Sequence, residues 1–264
     1  MTAWLLRMGL GLALLLLAAL TWVWLRQERL LFFPEPLPAE HRFDFGADVQ
    51  ELQIPVSGGA VLSALHLRHA EPKGLVFYLH GNGGNLQSWF ATADFYRRAG
   101  YDLFMLDYRG YGKSSGRIES EAQLRADVRA AWDAVAPRYA GKRRVIIGRS
   151  LGTGPAAELA LQVQPEQLVL VSPYLRMVAL MRQHFPLLPT WLLRYPLDTA
   201  ASLRRWQGPL LLLHGERDEL IPAEHSKQLQ QLAPQGRLVL IPGAGHNDLQ
   251  LHEPYLQAIK QVLP

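Results

Sequence analysis

The chain has 264 residues, 49% hydrophobic and 19% charged, enough for one sizeable α/β domain with a short appendage and too few for two full domains. It contains no cysteine, which excludes disulfides, zinc–thiolate sites and thiol catalysis, so any covalent chemistry falls to serine. The formal net charge of +4 comes from arginines scattered along the chain, without the basic run or aromatic–basic interleaving of a nucleic-acid face. Attraction to anionic lipid headgroups is the better use of the excess.

Residues 8–25 carry no charge, and as a helix they would span roughly 27 Å, close to the hydrocarbon thickness of a bilayer. Trp4, Trp22 and Trp24 fall where interfacial aromatic belts sit, and Arg7 and Arg26 bracket the run. A cleaved signal peptide shares this pattern, but Ala18-Ala19-Leu20-Thr21-Trp22 offers no clean small-x-small cleavage site, so residues 1–30 read as an uncleaved single-pass anchor. Arg7 and the amino terminus oppose Arg26, Arg29 and Arg42, a count that disfavours translocating the rest of the chain. The short head of an ordinary signal-anchor argues the other way, and the expectation is a domain outside the cytoplasm.

Residues 31–48 form a connector stiffened by Pro34, Pro36 and Pro38, and the globular domain is expected over 49–264. Alternating stretches at 50–56 and 60–68, joined by Ser57-Gly58-Gly59, predict an antiparallel hairpin. Continuous apolar runs at 75–80, 101–107, 144–148, 168–171, 210–214 and 238–241 then alternate with helical segments near 87–99, 119–136, 153–164, 223–232 and 249–262. This alternation predicts a parallel sheet covered on both faces, with ligands bound beyond the carboxyl ends of its strands. An unusually apolar insertion at 173–206 sits where a small cap would lie. Its Leu and Met residues either line an acyl pocket that faces the bilayer or merely pack the cap onto the core.

The chemistry-bearing residues lie just after those runs. Ser150 stands in Gly148-Arg149-Ser150-Leu151-Gly152, between the run Val145-Ile146-Ile147 and a helical segment, the setting of a nucleophile elbow whose flanking glycines relieve crowding at a strained turn. A serine hydroxyl needs an imidazole to take its proton and a carboxylate to fix the imidazole tautomer. Asp218, in the loop after 210–214, and His246, in the loop after 238–241, follow in the chain order this topology requires. Among the rivals, His80 and His214 each open a His-Gly pair and are expected to brace their loops, while His252 is placed within the last helix. Asp248 is expected to cap that helix, and Glu216 is the alternative acid. In His80-Gly81-Asn82-Gly83-Gly84-Asn85, the Asn82 amide is expected to form an oxyanion hole with the Leu151 amide, Gly83 being the alternative donor.

The same glycine-rich loop, with Asp107 ending the next strand, outlines a dinucleotide-binding unit, a different class of function. Leu86 occupies the third glycine position, and that reading leaves Ser150, Asp218 and His246 unexplained. No H-E-x-x-H or P-loop string is present, so no metal or cofactor is expected. A non-catalytic membrane-tethered binding protein is the third class considered.

Taken together, the His80–Asn85 loop, Asp107-Tyr108-Arg109-Gly110-Tyr111-Gly112-Lys113-Ser114, the Ser150 motif and Gly245-His246-Asn247-Asp248 resemble the α/β-hydrolase fold serine hydrolases, in their membrane-anchored abhydrolase-domain branch. The resemblance covers nearly the whole chain from Leu31. It implies a mostly parallel eight-stranded sheet and a cofactor-independent ester or thioester hydrolase, often acting on acyl lipids or acylated proteins. A peptidase or amidase of the same fold is the alternative. It also implies that Asp107 and Arg109 shape a loop near the site.

Overall fold

The computed structural model describes residues 2–264. Helix α1, Thr2–Leu25, projects from the domain with its apolar side chains exposed, and its stretch Trp4–Leu25 is long and apolar enough to cross a membrane. A short helix α2, Gln27–Leu31, follows at once.

Eight strands form one sheet in the order β1-β2-β4-β3-β5-β6-β7-β8. They are β1 Val49–Pro55, β2 Val61–Leu67, β3 Gly74–Leu79, β4 Asp102–Leu106, β5 Arg143–Arg149, β6 Gln167–Val171, β7 Leu210–Gly215 and β8 Arg237–Ile241. β1 and β2 make the expected hairpin, with Val49 opposite Leu67. β2 runs antiparallel to both of its neighbours, and from β4 to β8 every pairing is parallel. The inner strands are buried along nearly their whole length, as Gly74-Leu75-Val76-Phe77-Tyr78-Leu79 illustrates, because helices cover both faces. Two apolar cores result, one on each side of the sheet.

The helices are α3 Leu86–Trp89, α4 Ala93–Ala99, α5 Glu121–Val135, α6 Thr153–Val163, α7 Met177–His184, α8 Thr199–Leu203, α9 Glu224–Leu232 and α10 Glu253–Val262. Local chemistry sets several boundaries. Ser120 caps α5 by accepting the Gln123 amide at 3.1 Å, and α4 stops at Gly100, whose φ of 78° lies in the left-handed region that glycine tolerates.

Several expectations are corrected. The helix expected near 87–99 is broken by a 3₁₀ turn at Phe90–Thr92, and the one near 249–262 is a 3₁₀ turn, Leu249–Leu251, followed by α10. His252 is the residue that precedes α10 rather than part of it. The Asp248 carboxylate caps no helix; it accepts the Gly245 amide at 2.7 Å within the loop. The proline connector is extended but packed into the domain: Phe32 joins the main core, Pro36 bridges to Gly112, and the Leu37 amide donates to the Gly112 carbonyl at 2.8 Å.

Candidate active site

β5 delivers Ser150 at the carboxyl edge of the sheet. Its φ of 50° is left-handed, a conformation that non-glycine residues rarely adopt. Tight packing enforces it. A Cβ on Gly148 would lie 2.6 Å from the Ala156 side chain, and one on Gly152 would collide with the Leu79 carbonyl. Thr153 Oγ1 donates to the Ser150 carbonyl at 2.7 Å, and the Tyr174 hydroxyl donates to the Leu151 carbonyl at 3.1 Å, so the elbow is held from both sides.

The loops after β7 and β8 bring the other two residues in. His246 Nε2 lies 3.0 Å from Ser150 Oγ, and His246 Nδ1 lies 2.8 Å from Asp218 Oδ2. Asp218 Oδ1 accepts the Ile221 and Leu220 amides at 2.8 and 3.1 Å. Burial pushes the Asp218 carboxyl up, but hydrogen bonding to His214, His246 and the Ile221 amide outweighs it and holds the group well below the usual carboxylate range. Glu216, the alternative acid, is exposed on the same loop. Ser150 is only 8% exposed.

His80 and His214 brace their loops. His80 Nδ1 lies 2.7 Å from the Gly81 carbonyl, with its ring stacked on Trp89. His214 is fixed between Ser226 Oγ and the Ile221 carbonyl, each at 2.6 Å. Asp107 accepts the Leu86 amide at 3.1 Å, and Arg109 pairs with Asp127 at 2.6 Å, so both act on loop shape.

The glycine-rich loop after β3 passes close to the serine: a Cβ on Gly81 would lie 3.3 Å from Ser150 Cβ. The Gly83 amide is engaged by Asn82 Oδ1 at 3.2 Å. The Asn82 and Leu151 amides donate to no protein acceptor among the described residues. Among the described residues, no group of three or more His, Asp or Glu side chains converges as metal ligands would.

Sequence reasoning missed Arg149. Its guanidinium donates to the His246 carbonyl and to Gln250 Oε1, each at 3.0 Å, and lies over the Trp89 ring, tying the histidine loop to the elbow. The signal was there: an arginine that directly follows the buried apolar run Val145-Ile146-Ile147-Gly148 needs partners.

A family model described as serine aminopeptidase, S33, matches residues 70–204, about half of the chain, and one described as alpha/beta hydrolase fold matches residues 188–253. The chain belongs to the α/β-hydrolase superfamily. This α/β-hydrolase is 32% identical over 261 residues to an uncharacterized protein of Mycobacterium tuberculosis, covering 95% of the chain and 92% of the relative. It is 32% identical over 194 residues to the alpha/beta hydrolase domain-containing protein 17C of Xenopus tropicalis, covering 71% of the chain and 61% of that relative. In fold the hydrolase is similar to an esterase from Pyrococcus furiosus, with a TM-score of 0.71 at 20% identity over 88% of the chain and 96% of the esterase.

Proposed function

We propose that the protein is a serine hydrolase of carboxylic ester or thioester bonds, held at a membrane by α1. The supporting observation is the relay in which Ser150 Oγ lies 3.0 Å from His246 Nε2 and His246 Nδ1 lies 2.8 Å from Asp218. Ser150 Oγ attacks the acyl carbon as His246 takes its proton, and the carbonyl oxygen, now an oxyanion, receives the Asn82 and Leu151 amides. Collapse of the tetrahedral intermediate expels the alcohol or thiol, which leaves with the proton from His246. Water, deprotonated by His246, then attacks the acyl-serine, and a second collapse frees the acid and Ser150. Asp218, ionised throughout, stabilises the imidazolium and fixes the tautomer with the proton on Nδ1.

The acyl group is proposed to come from a lipid or an acylated protein. The cap supports this reading. It exposes Phe185, Leu187 and Trp191, Leu187 at 96%, on the segment that also holds α2, the continuation of α1. An N-terminal signal sequence shares the composition of α1; retention of the full-length chain in membranes after alkaline carbonate extraction is the outcome expected of an anchor.

The test is turnover of p-nitrophenyl esters of increasing chain length by the full-length protein in detergent, beside Ser150→Ala. The variant should lose roughly 10⁴- to 10⁶-fold in kcat while remaining folded. Near-normal turnover by the folded variant would remove the mechanism. The matched family description favours one second reading, hydrolysis of amides, and aminoacyl p-nitroanilides cleaved at rates rivalling the esters would establish it.

A further inference from the structure

Within Gly81-Asn82-Gly83-Gly84, the stretch that passes the serine, Asn82 has the only side chain. Gly83 and Gly84 adopt φ of 77° and 67°, and such a run has little stiffness of its own. Its conformation is therefore set by what grips it. Asn82 Nδ2 donates to the Leu31 carbonyl at 2.6 Å, while Asn82 Oδ1 accepts the Phe33 amide at 3.0 Å and the Tyr111 hydroxyl at 2.7 Å. The Phe33 amide also lies 3.2 Å from the Tyr111 hydroxyl, which closes a small ring of hydrogen bonds. Further along the loop, the Gly84 amide donates to Glu35 Oε1 at 3.2 Å, and Asn85 Nδ2 donates to the Glu35 carbonyl at 2.9 Å. Most of these grips come from residues 31–35, the stretch that leads out of α1 and α2.

We propose that residues 31–35 are a positioning element of the oxyanion loop, acting through the Asn82 side chain, so that the membrane-proximal segment is part of the catalytic apparatus and not a tether. This rests on the serine hydrolase reading above. Phe32, buried beneath the segment with its ring edge-on to Tyr195 at 5.1 Å, fixes the segment to the core and lets it serve as a rigid support. A donor amide that points about an ångström away from the oxyanion forfeits much of its value, since stabilisation of the transition state requires 2.7–3.1 Å contacts.

The test is made in the full-length chain. Phe33→Pro removes the amide that both Asn82 and Tyr111 use. Asn82→Ala removes the clamp and leaves the backbone amide in place. Active sites are counted by stoichiometric labelling with a fluorophosphonate, and rates are expressed per labelled site. The expected result is a loss in kcat of roughly 10- to 100-fold for Phe33→Pro and Asn82→Ala, a share of the 10²–10³ that one oxyanion donor supplies, with KM within about twofold. If the two variants lower only the fraction of labelled sites, or leave kcat per site unchanged, the segment has a purely structural role and the proposal is overturned. Ser150→Ala run in parallel separates the two ideas: a fully active Ser150→Ala rejects the hydrolase reading itself, whereas an inactive one beside unimpaired clamp variants rejects only the role of residues 31–35.

Discussion

A serine held at a φ of 50° is a local cost that the surrounding packing sustains. For an L-residue the left-handed conformation costs roughly 1–2 kcal/mol, while glycine forfeits roughly 0.5–1 kcal/mol of unfolded-state entropy. Ser150→Gly should therefore be more stable than Ser150→Ala by roughly 0.5–1 kcal/mol, the reverse of the usual order, although both are inactive. Chemical denaturation of the two variants checks this, and an Ala variant that is the more stable would show the turn to be relaxed. Asp218→Asn should lose about 10⁴-fold in kcat, because the amide presents a donor or a poor acceptor to His246 Nδ1 and favours the wrong tautomer. The Asp218 carboxyl is held below its ordinary range, so it stays ionised as pH falls through 4, and the acid limb of the activity profile belongs to another group. The loop positions of Ser150, Asp218 and His246 were readable because each follows an apolar run. The Arg149 contacts were not, because they depend on where the β8 loop lies in space, which the order of elements leaves open.

At the scale of elements, the start of β4 carries a buried cluster far along the strand from the serine. The Tyr139 hydroxyl donates to Asp102 Oδ2 at 2.5 Å, so His66 Nε2, 2.7 Å from the same hydroxyl, is the donor of that pair. His66 Nδ1 is then an acceptor, buried without a partner, and protonating it would turn it into an equally unpaired donor that carries charge. Burial pushes the His66 pKa down to about 4 despite the nearby Asp102 carboxylate. For a base whose folded pKa lies below its unfolded value, the unfolded chain takes up the proton first. The stabilisation is thus complete above pH 6.5 and is lost progressively as pH falls to about 4. The loss should amount to about 3 kcal/mol, and His66→Gln should flatten thermal stability against pH across that window. A variant with the parent's slope would move the effect elsewhere. The alternation of strands and helices was legible throughout, whereas the helix breaks were not all so. Pro254 lies in the first turn of α10, where a missing amide is harmless, and was a usable sign that a helix starts afresh there. The break at Phe90–Thr92 has no such mark; Phe90 is drawn into the core and the backbone follows.

Over the whole molecule, α2 joins parts of the chain that the sequence shows as separate. Gln27, buried between α2 and the cap, donates from Nε2 to the Leu192 carbonyl at 2.8 Å and accepts the Arg194 amide at 2.6 Å. Glu28 binds the Tyr195 hydroxyl at 2.8 Å and Arg194 at 2.9 Å. Gln27→Ala leaves the buried Leu192 carbonyl and the part-buried Arg194 amide unpaired and should cost about 1–3 kcal/mol, with faster proteolysis of the exposed cap stretch 182–187. Equal stability and equal cleavage rates would mean that the cap does not depend on this link. The prolines of the connector pointed to a boundary at residues 31–48. Nothing local foretold that Phe32 and Gln27 lie across that boundary in the folded protein, because their partners are distant in sequence.

That distance sets an order of events in biosynthesis. The hydrogen bonds from Gln27 span 165 and 167 residues, so a segment translated well before the cap can be finished only after the cap has been made. Closing a loop of that length costs about 4.5 kcal/mol of length-dependent entropy, which the buried Phe32 and Gln27 contacts can offset, but it must come late. A nascent chain arrested before the cap therefore carries an unfinished support beside α1, and the site is complete only when the cap has returned to α2.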